Sequence, residues 1–148
     1  TLAHAEKAID INPNDPGSYF SLSLALTTVG RFEEAIKAQE TSFRLSPILS
    51  VTWVNGLAWS YVVMTPYNKA IPLFLEMIER NPNDPVAFQG LTIAYELSGN
   101  HEKALLAAEN VMRINPSISI AALEKRIFMK DGDFRKRIFE AYRRAGIK

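Results

Sequence analysis

The sequence predicts an all-α solenoid, a row of helical hairpins of near-equal length closed by a helical cap. Three observations carry that prediction. The pentapeptide Asn12-Pro13-Asn14-Asp15-Pro16 recurs letter for letter at Asn81-Pro82-Asn83-Asp84-Pro85, with shorter echoes at Ser46-Pro47 and Asn115-Pro116. Pro13, Pro47, Pro82 and Pro116 stand 34, 35 and 34 residues apart, a period that belongs to stacked units rather than to one interleaved core. Between the prolines, apolar residues recur every three or four positions, which puts them on one helical face.

Residues 2 to 11 carry Leu2, Ala5, Ala8 and Ile9 at that spacing and read as a lone helix, the second half of a hairpin. Asn12-Pro13 ends it, because proline disfavours the α conformation in the residue before it; Asp15-Pro16 starts the next with a capping acid and a proline in the first turn. The apolar positions Tyr19, Phe20, Leu22, Leu24 and Leu26 lead to Val29, and Gly30 supplies the left-handed turn that reverses the chain. Arg31 to Leu45 is the returning helix, its stripe Phe32, Ala35, Ile36 and Phe43 facing inward and Glu33, Glu34, Lys37 and Glu40 facing water.

These units resemble the tetratricopeptide repeat family, whose pattern is W-x2-L-G-x2-Y, then A-x3-F, then P. Tyr19, Leu22, Ser23, Leu26, Ala35 and Pro47 take those places in the first full unit. Leu57, Ala58, Tyr61, Ala70, Phe74 and Pro82 do so in the second, and Phe88, Leu91, Thr92, Tyr95, Ala104 and Pro116 in the third. The resemblance implies a right-handed α-α superhelix with a half repeat at 1–13, full repeats at 14–47, 48–82 and 83–116, and capping helices over 117–148. The extra residue of the second unit lies between Pro47 and Leu57, and a longer loop accommodates it more cheaply than a bulge at Asn55-Gly56. That unit has no counterpart to Gly30 and Gly99 and carries Pro72 inside its second helix, which predicts a kink or a late start between Pro66 and Pro72. After Pro116 the pattern fails, and Ile118 to Met129 and Phe134 to Ala145 read as two atypical cap helices. Their close, Phe139 to Ile147, resembles the tail of repeat arrays attached to bacterial adenylate cyclases and winged-helix regulators.

With 47% hydrophobic and 22% charged residues the composition is that of a folded domain rather than a disordered chain. Cysteine is absent, which removes disulfides, thiolate nucleophiles and cysteine-bearing zinc sites and suits the cytoplasm. Val51 to Met64, the longest apolar stretch, is too short to span a bilayer, and nothing reads as a membrane segment or signal peptide. The chain opens at Thr1 inside a helical pattern, so we expect a piece of a longer protein. Residues 125–148 hold nine basic and three acidic residues, +6 against −5 for the rest.

No phosphate-binding glycine loop, metal-spaced histidine pair or nucleophile elbow occurs, so neither an enzyme nor a metal or other cofactor is expected. His4 and His101 read as packing or surface imidazoles, and Glu33-Glu34 as solvated charges pointing in different directions. The candidate site is a surface. In the family it resembles, first helices line a concave side, and the equivalent positions here are Phe20, Leu24 and Thr27; Asn55, Trp59 and Val62; and Gln89, Ile93 and Glu96. Apolar bulk alternating with single polar groups suits an extended peptide or a helix, with Trp59 as the expected anchor. The alternative is that Trp59 and Phe20 pack between neighbouring first helices.

The function expected is therefore a protein-interaction or scaffolding module, the regulatory region of a larger bacterial protein, with a protein or peptide as partner. Homo-oligomerisation through the apolar N-terminal face is the alternative partner arrangement, as in the self-association region of a signalling enzyme such as a nucleotide cyclase. The carboxylate clamp with which some family members hold chaperone tails is missing, since Phe20, Val86 and Gly90 stand where cations are needed. Nucleic-acid binding through Lys125, Arg126, Lys130, Arg135, Lys136, Arg137, Arg143 and Arg144 is disfavoured, because no aromatic interleaving accompanies the charges.

Overall fold

A computed structural model describes residues 1–46, 51–64, 66–127 and 132–148. Among them the secondary structure is wholly helical: α1 (Leu2–Ile11), α2 (Pro16–Thr28), α3 (Phe32–Leu45), α4 (Val51–Val63), α5 (Tyr67–Arg80), α6 (Pro85–Leu97), α7 (His101–Ile114), α8 (Ile120–Arg126) and α9 (Gly132–Arg144). Helices α2 and α3, α4 and α5, and α6 and α7 form three hairpins. They stack in chain order, α1 on α2, α3 on α4 and α5 on α6, while α9 lies on α6.

The repeated pentapeptide both stops and starts a helix. Asn12 and Asn81 each accept from the N–H two residues on, at 3.2 Å, closing a turn. Asp15 then accepts from Gly17 and Ser18 at 3.3 and 2.8 Å, and Asp84 from Val86 and Ala87 at 2.9 and 3.2 Å, so each aspartate satisfies N–H groups that an α-helix cannot. The hydroxyl and N–H of Ser18 hold the Asp15 carboxyl below the ordinary aspartate range. Gly30 (φ 78°) and Gly99 (φ 85°) are left-handed. At each, the glycine and its successor donate back into the last turn, Gly30 to Thr27 and Arg31 to Leu26, Gly99 to Glu96 and Asn100 to Tyr95. Gly146 (φ 94°) ends α9 in the same way.

Three sequence expectations change. Of the kink or late start expected between Pro66 and Pro72, the late start does not occur: α5 begins at Tyr67, directly after Pro66, and is assigned as helix through Pro72. Pro72 and Asn68 are both exposed. Both lie on the solvent side of α5, where a carbonyl without its intrahelical donor is more cheaply accommodated than in the core. Phe32 turns outward, 39% exposed, and Ala35, Ala38, Gln39 and Ser42 form the buried face of α3 instead. In the cap, α8 is shorter than expected: Ser119 caps it by accepting from Ala122 at 3.1 Å, and it ends at Arg126 with Ile127 extended. Helix α4 is α-helical through Asn55-Gly56, while the loop residues 48–50, to which the additional residue was assigned, lie outside the described residues, as do Thr65, Met129 and Lys130.

The core is unevenly distributed. One large apolar cluster runs from Val54 through the second and third hairpins to the cap, ending at Ile147. The first hairpin has a small one of its own, Leu26, Ala35 and Ala38, with Leu2 and Leu22 against it. Polar groups make up much of the remaining interior there: Ser23 bonds to the Phe20 carbonyl and Ser42 to the Pro16 carbonyl, at 2.8 and 2.7 Å.

Candidate functional site

The nine predicted surface residues fall into five environments. Phe20 stacks on Trp53, ring centroids 4.7 Å apart and planes 12° from parallel, so it packs between neighbouring first helices. Both rings border an apolar groove of about 920 Å³ between α1 and α2, with Leu24 on its rim. Leu24, Thr27, Trp59 and Gln89 line a second, central cavity of about 460 Å³. Asn55 borders neither, and its Oδ1 is buried with no hydrogen-bond partner.

Val62 and Ile93 do not face a groove; both are wholly buried. Glu96 is not free either. Its side chain is 6% exposed and its carboxylate is taken by Arg144 of α9 at 3.4 Å and by His101 Nδ1 at 2.8 Å. The physical reason is the cap. Gln89, Ile93 and Glu96 lie on one face of α6 at four- and three-residue spacing, and α9 docks against α6 there, so the chain's own cap covers the concave wall of the third repeat.

The central cavity is bounded by α2, α3, α4, α6 and the end of α8. Trp59 forms its apolar wall, partly buried and held edge-on against Phe74 at 5.7 Å and 77°. The Thr27 and Ser60 hydroxyls on the lining already donate to their own helix, to the Ser23 and Gly56 carbonyls at 2.8 and 2.9 Å. Gln39 is 4% exposed, and its Oε1 is buried without a partner. Arg126 and Ile127 close the far side. Sequence reading missed Gln39, Phe32 and Arg126, since it looked for the wall on first helices alone. The signal for Gln39 was present: it shares the face of Ala35 and Ser42, four before and three after, where an amide is out of place.

Most cap arginines are engaged within the molecule. Arg143 approaches Glu124 at 3.8 Å, Arg137 donates to the Tyr67 hydroxyl at 2.6 Å, and Arg135 lies over the Phe139 ring at 5.2 Å. Among the described residues no group of histidine, aspartate and glutamate is placed to hold a metal, and no helix is long and apolar enough to cross a membrane. Burial raises the phenols of Tyr61, Tyr95 and Tyr142, with Glu40 reinforcing the effect at Tyr61 through a 2.6 Å bond.

Comparison with known proteins agrees with the architecture. The tetratricopeptide repeat model matches residues 4–37. The chain superposes on the structure of MamA 41-end from Desulfovibrio magneticus RS-1 with a TM-score of 0.74 at 19% identity, covering 97% of this chain and 81% of that one. A double mutant of MamA RS-1 gives 0.74 at 18% identity, over 96% of this chain and 83% of the other. YrrB, described as a tetratricopeptide-repeat protein with an unusual peptide-binding site, gives 0.72 at 17% identity, over 97% and 74%. At these identities the likeness shows the fold alone. No curated protein matches the chain. One stretch of the chain, residues 4–37, thus matches the tetratricopeptide repeat model, and the whole chain shares the superhelical fold of tetratricopeptide-repeat structures.

Proposed function

We propose that this chain is a non-catalytic protein-interaction module, the regulatory or scaffolding part of a larger bacterial protein, and that it holds a polypeptide in the central cavity beside Trp59. The observation that carries the reading is the cavity itself. It is an apolar recess of about 460 Å³ with a half-buried tryptophan on its wall, the size and lining of sites that take a few side chains of a partner. Partly exposed tryptophan held rigid by a neighbouring ring is the residue type that dominates binding energy when covered. The peptide-binding site in the name of the similarly folded YrrB supports a peptide as the occupant class.

Capture of bound proteins on the immobilised chain, compared with Trp59→Ala, tests this. The expected outcome is a partner retained by the parent chain and lost from the variant, with folding unchanged by circular dichroism. Equal retention by both would refute the site. The groove between α1 and α2 favours a second reading, in which a second copy of the chain covers it: Leu24 and Val29 on its rim are 51% and 58% exposed. Light scattering across concentration checks that reading, and a constant monomer mass excludes it.

A further inference from the structure

We propose that the central cavity selects an acidic, apolar peptide segment, with a carboxylate of the peptide received by Arg126, an aliphatic or aromatic side chain laid on Trp59, and a peptide N–H donated to Gln39 Oε1. The inference rests on the cavity being a polypeptide site and names the chemistry of what enters it.

Three features of the lining point the same way. Its charge is one-sided among the described residues: Arg126 is the cation there, and none of the described aspartates or glutamates lines it. Among the described residues Arg126 is exposed and makes no ion pair, while Arg143 and Arg144 on the adjoining α9 meet Glu124 and Glu96. A guanidinium on the lining of an apolar recess favours a carboxylate that can accept two parallel N–H bonds. The second feature is Gln39, 96% removed from solvent, whose acceptor oxygen has no donor. The neighbouring Thr27 and Ser60 hydroxyls are already donating to backbone carbonyls, so neither supplies it. An extended peptide carries N–H donors at regular intervals and can, once a turn of the amide brings the enclosed oxygen to the recess.

The third feature is Gly56, opposite Gln39. A Cβ built there would stand 3.2 Å from Gln39 Nε2, so the amide occupies the space that any other residue at 56 would claim. Arg126 and Gln39 come from elements far apart in sequence, α8 and α3, and meet in one recess only because the superhelix curls the cap back toward the first hairpin. Polynucleotide is the poorer fit, since one guanidinium over an apolar wall offers a phosphate backbone a single contact.

The test uses three fluorescently labelled, end-blocked hexapeptides of the same leucine and phenylalanine content that differ at one position, holding glutamate, glutamine or lysine. Binding to the full chain is read by anisotropy. The glutamate peptide should bind about tenfold more tightly than the glutamine peptide, and the lysine peptide most weakly. The glutamate preference should shrink as salt rises and vanish in Arg126→Gln. Arg126→Glu should reverse the order, with circular dichroism reporting that the fold is kept. Gln39→Leu should weaken all three peptides alike. Equal binding of the three, abolished by Trp59→Ala, would remove the charge selection and leave the polypeptide site standing. A glutamate preference that persists in Arg126→Gln, or no binding by any of the three, overturns the proposal; the site alone is then still decided by protein capture with Trp59→Ala.

Discussion

Gly90 lies in the middle of α6, buried, where an alanine would ordinarily strengthen the helix by about 0.8–1 kcal/mol. The structure predicts the opposite. A Cβ at position 90 would fall 2.2, 2.3 and 2.6 Å from three atoms of the Phe74 ring, against 3.4 Å and beyond for an ordinary contact, so the ring must retreat by about an ångström. It has nowhere to go: Phe74 has no exposed surface, and Trp59 stands edge-on against it. Overpacking of this kind costs roughly 1–3 kcal/mol, and the shift needed here lies at the upper end; after the helix gain, a net loss of about 2 kcal/mol is expected for Gly90→Ala. Urea unfolding followed by far-ultraviolet circular dichroism reads this as a lower midpoint at unchanged slope. Phe74→Leu removes the ring, so the double variant should lose at least about 1 kcal/mol less than the sum of the two single losses. A Gly90→Ala protein as stable as the parent, or strict additivity in the cycle, would refute the reasoning.

Other outcomes follow from local chemistry. Gly30→Ala and Gly99→Ala each place a Cβ at positive φ and should cost about 1–2 kcal/mol, nearly additively since the turns share no partner, as unfolding midpoints would show. Asp84→Ala should cost about 1 kcal/mol through loss of its cap on Val86 and Ala87. The Asp15 cap is pH-dependent: because its folded pKa is lowered, its stabilisation is present above the unfolded value and disappears as pH falls through the folded one, and Asp15→Asn should flatten that part of an acid titration followed by circular dichroism. Tyr142→Phe should be neutral or stabilising by about 1 kcal/mol, because the buried hydroxyl has no partner to lose; a clear loss in denaturant unfolding would count against it. Amide exchange should be fastest through α1 to α3, where the interior is small and rich in serine.

What could be read from the chain alone was whatever is local. The Asn-Pro-Asn-Asp-Pro pentapeptides and the glycines after Val29 and Ser98 specify helix ends by hydrogen bonds spanning two to five residues, and the structure has them as expected. Val62 and Ile93 were misplaced for the opposite reason. Position within a repeat assigns them to a concave wall, but whether that wall meets water depends on how far the superhelix curls and where α9 settles. Arg126 was invisible for the same cause, being one cation among several in the cap, whereas Gln39 did carry a local signal, an amide on the apolar face of Ala35. Pro72 did not delay the start of its helix: α5 begins before it, with Pro72 and Asn68 on the exposed side. Trp59 survived as a candidate because its ring faces both a core phenylalanine and an open recess.

The division of the apolar interior into two unequal clusters gives the recess a mechanical setting. Ala35 of the lesser cluster and Trp59 of the greater both line the cavity, so it touches the two. Any occupant acts as a rivet between them. The free energy with which it binds must reappear, by linkage, as added resistance of the first hairpin to swinging loose, so affinity could be read from amide protection of α2 and α3 without a label on the ligand at all.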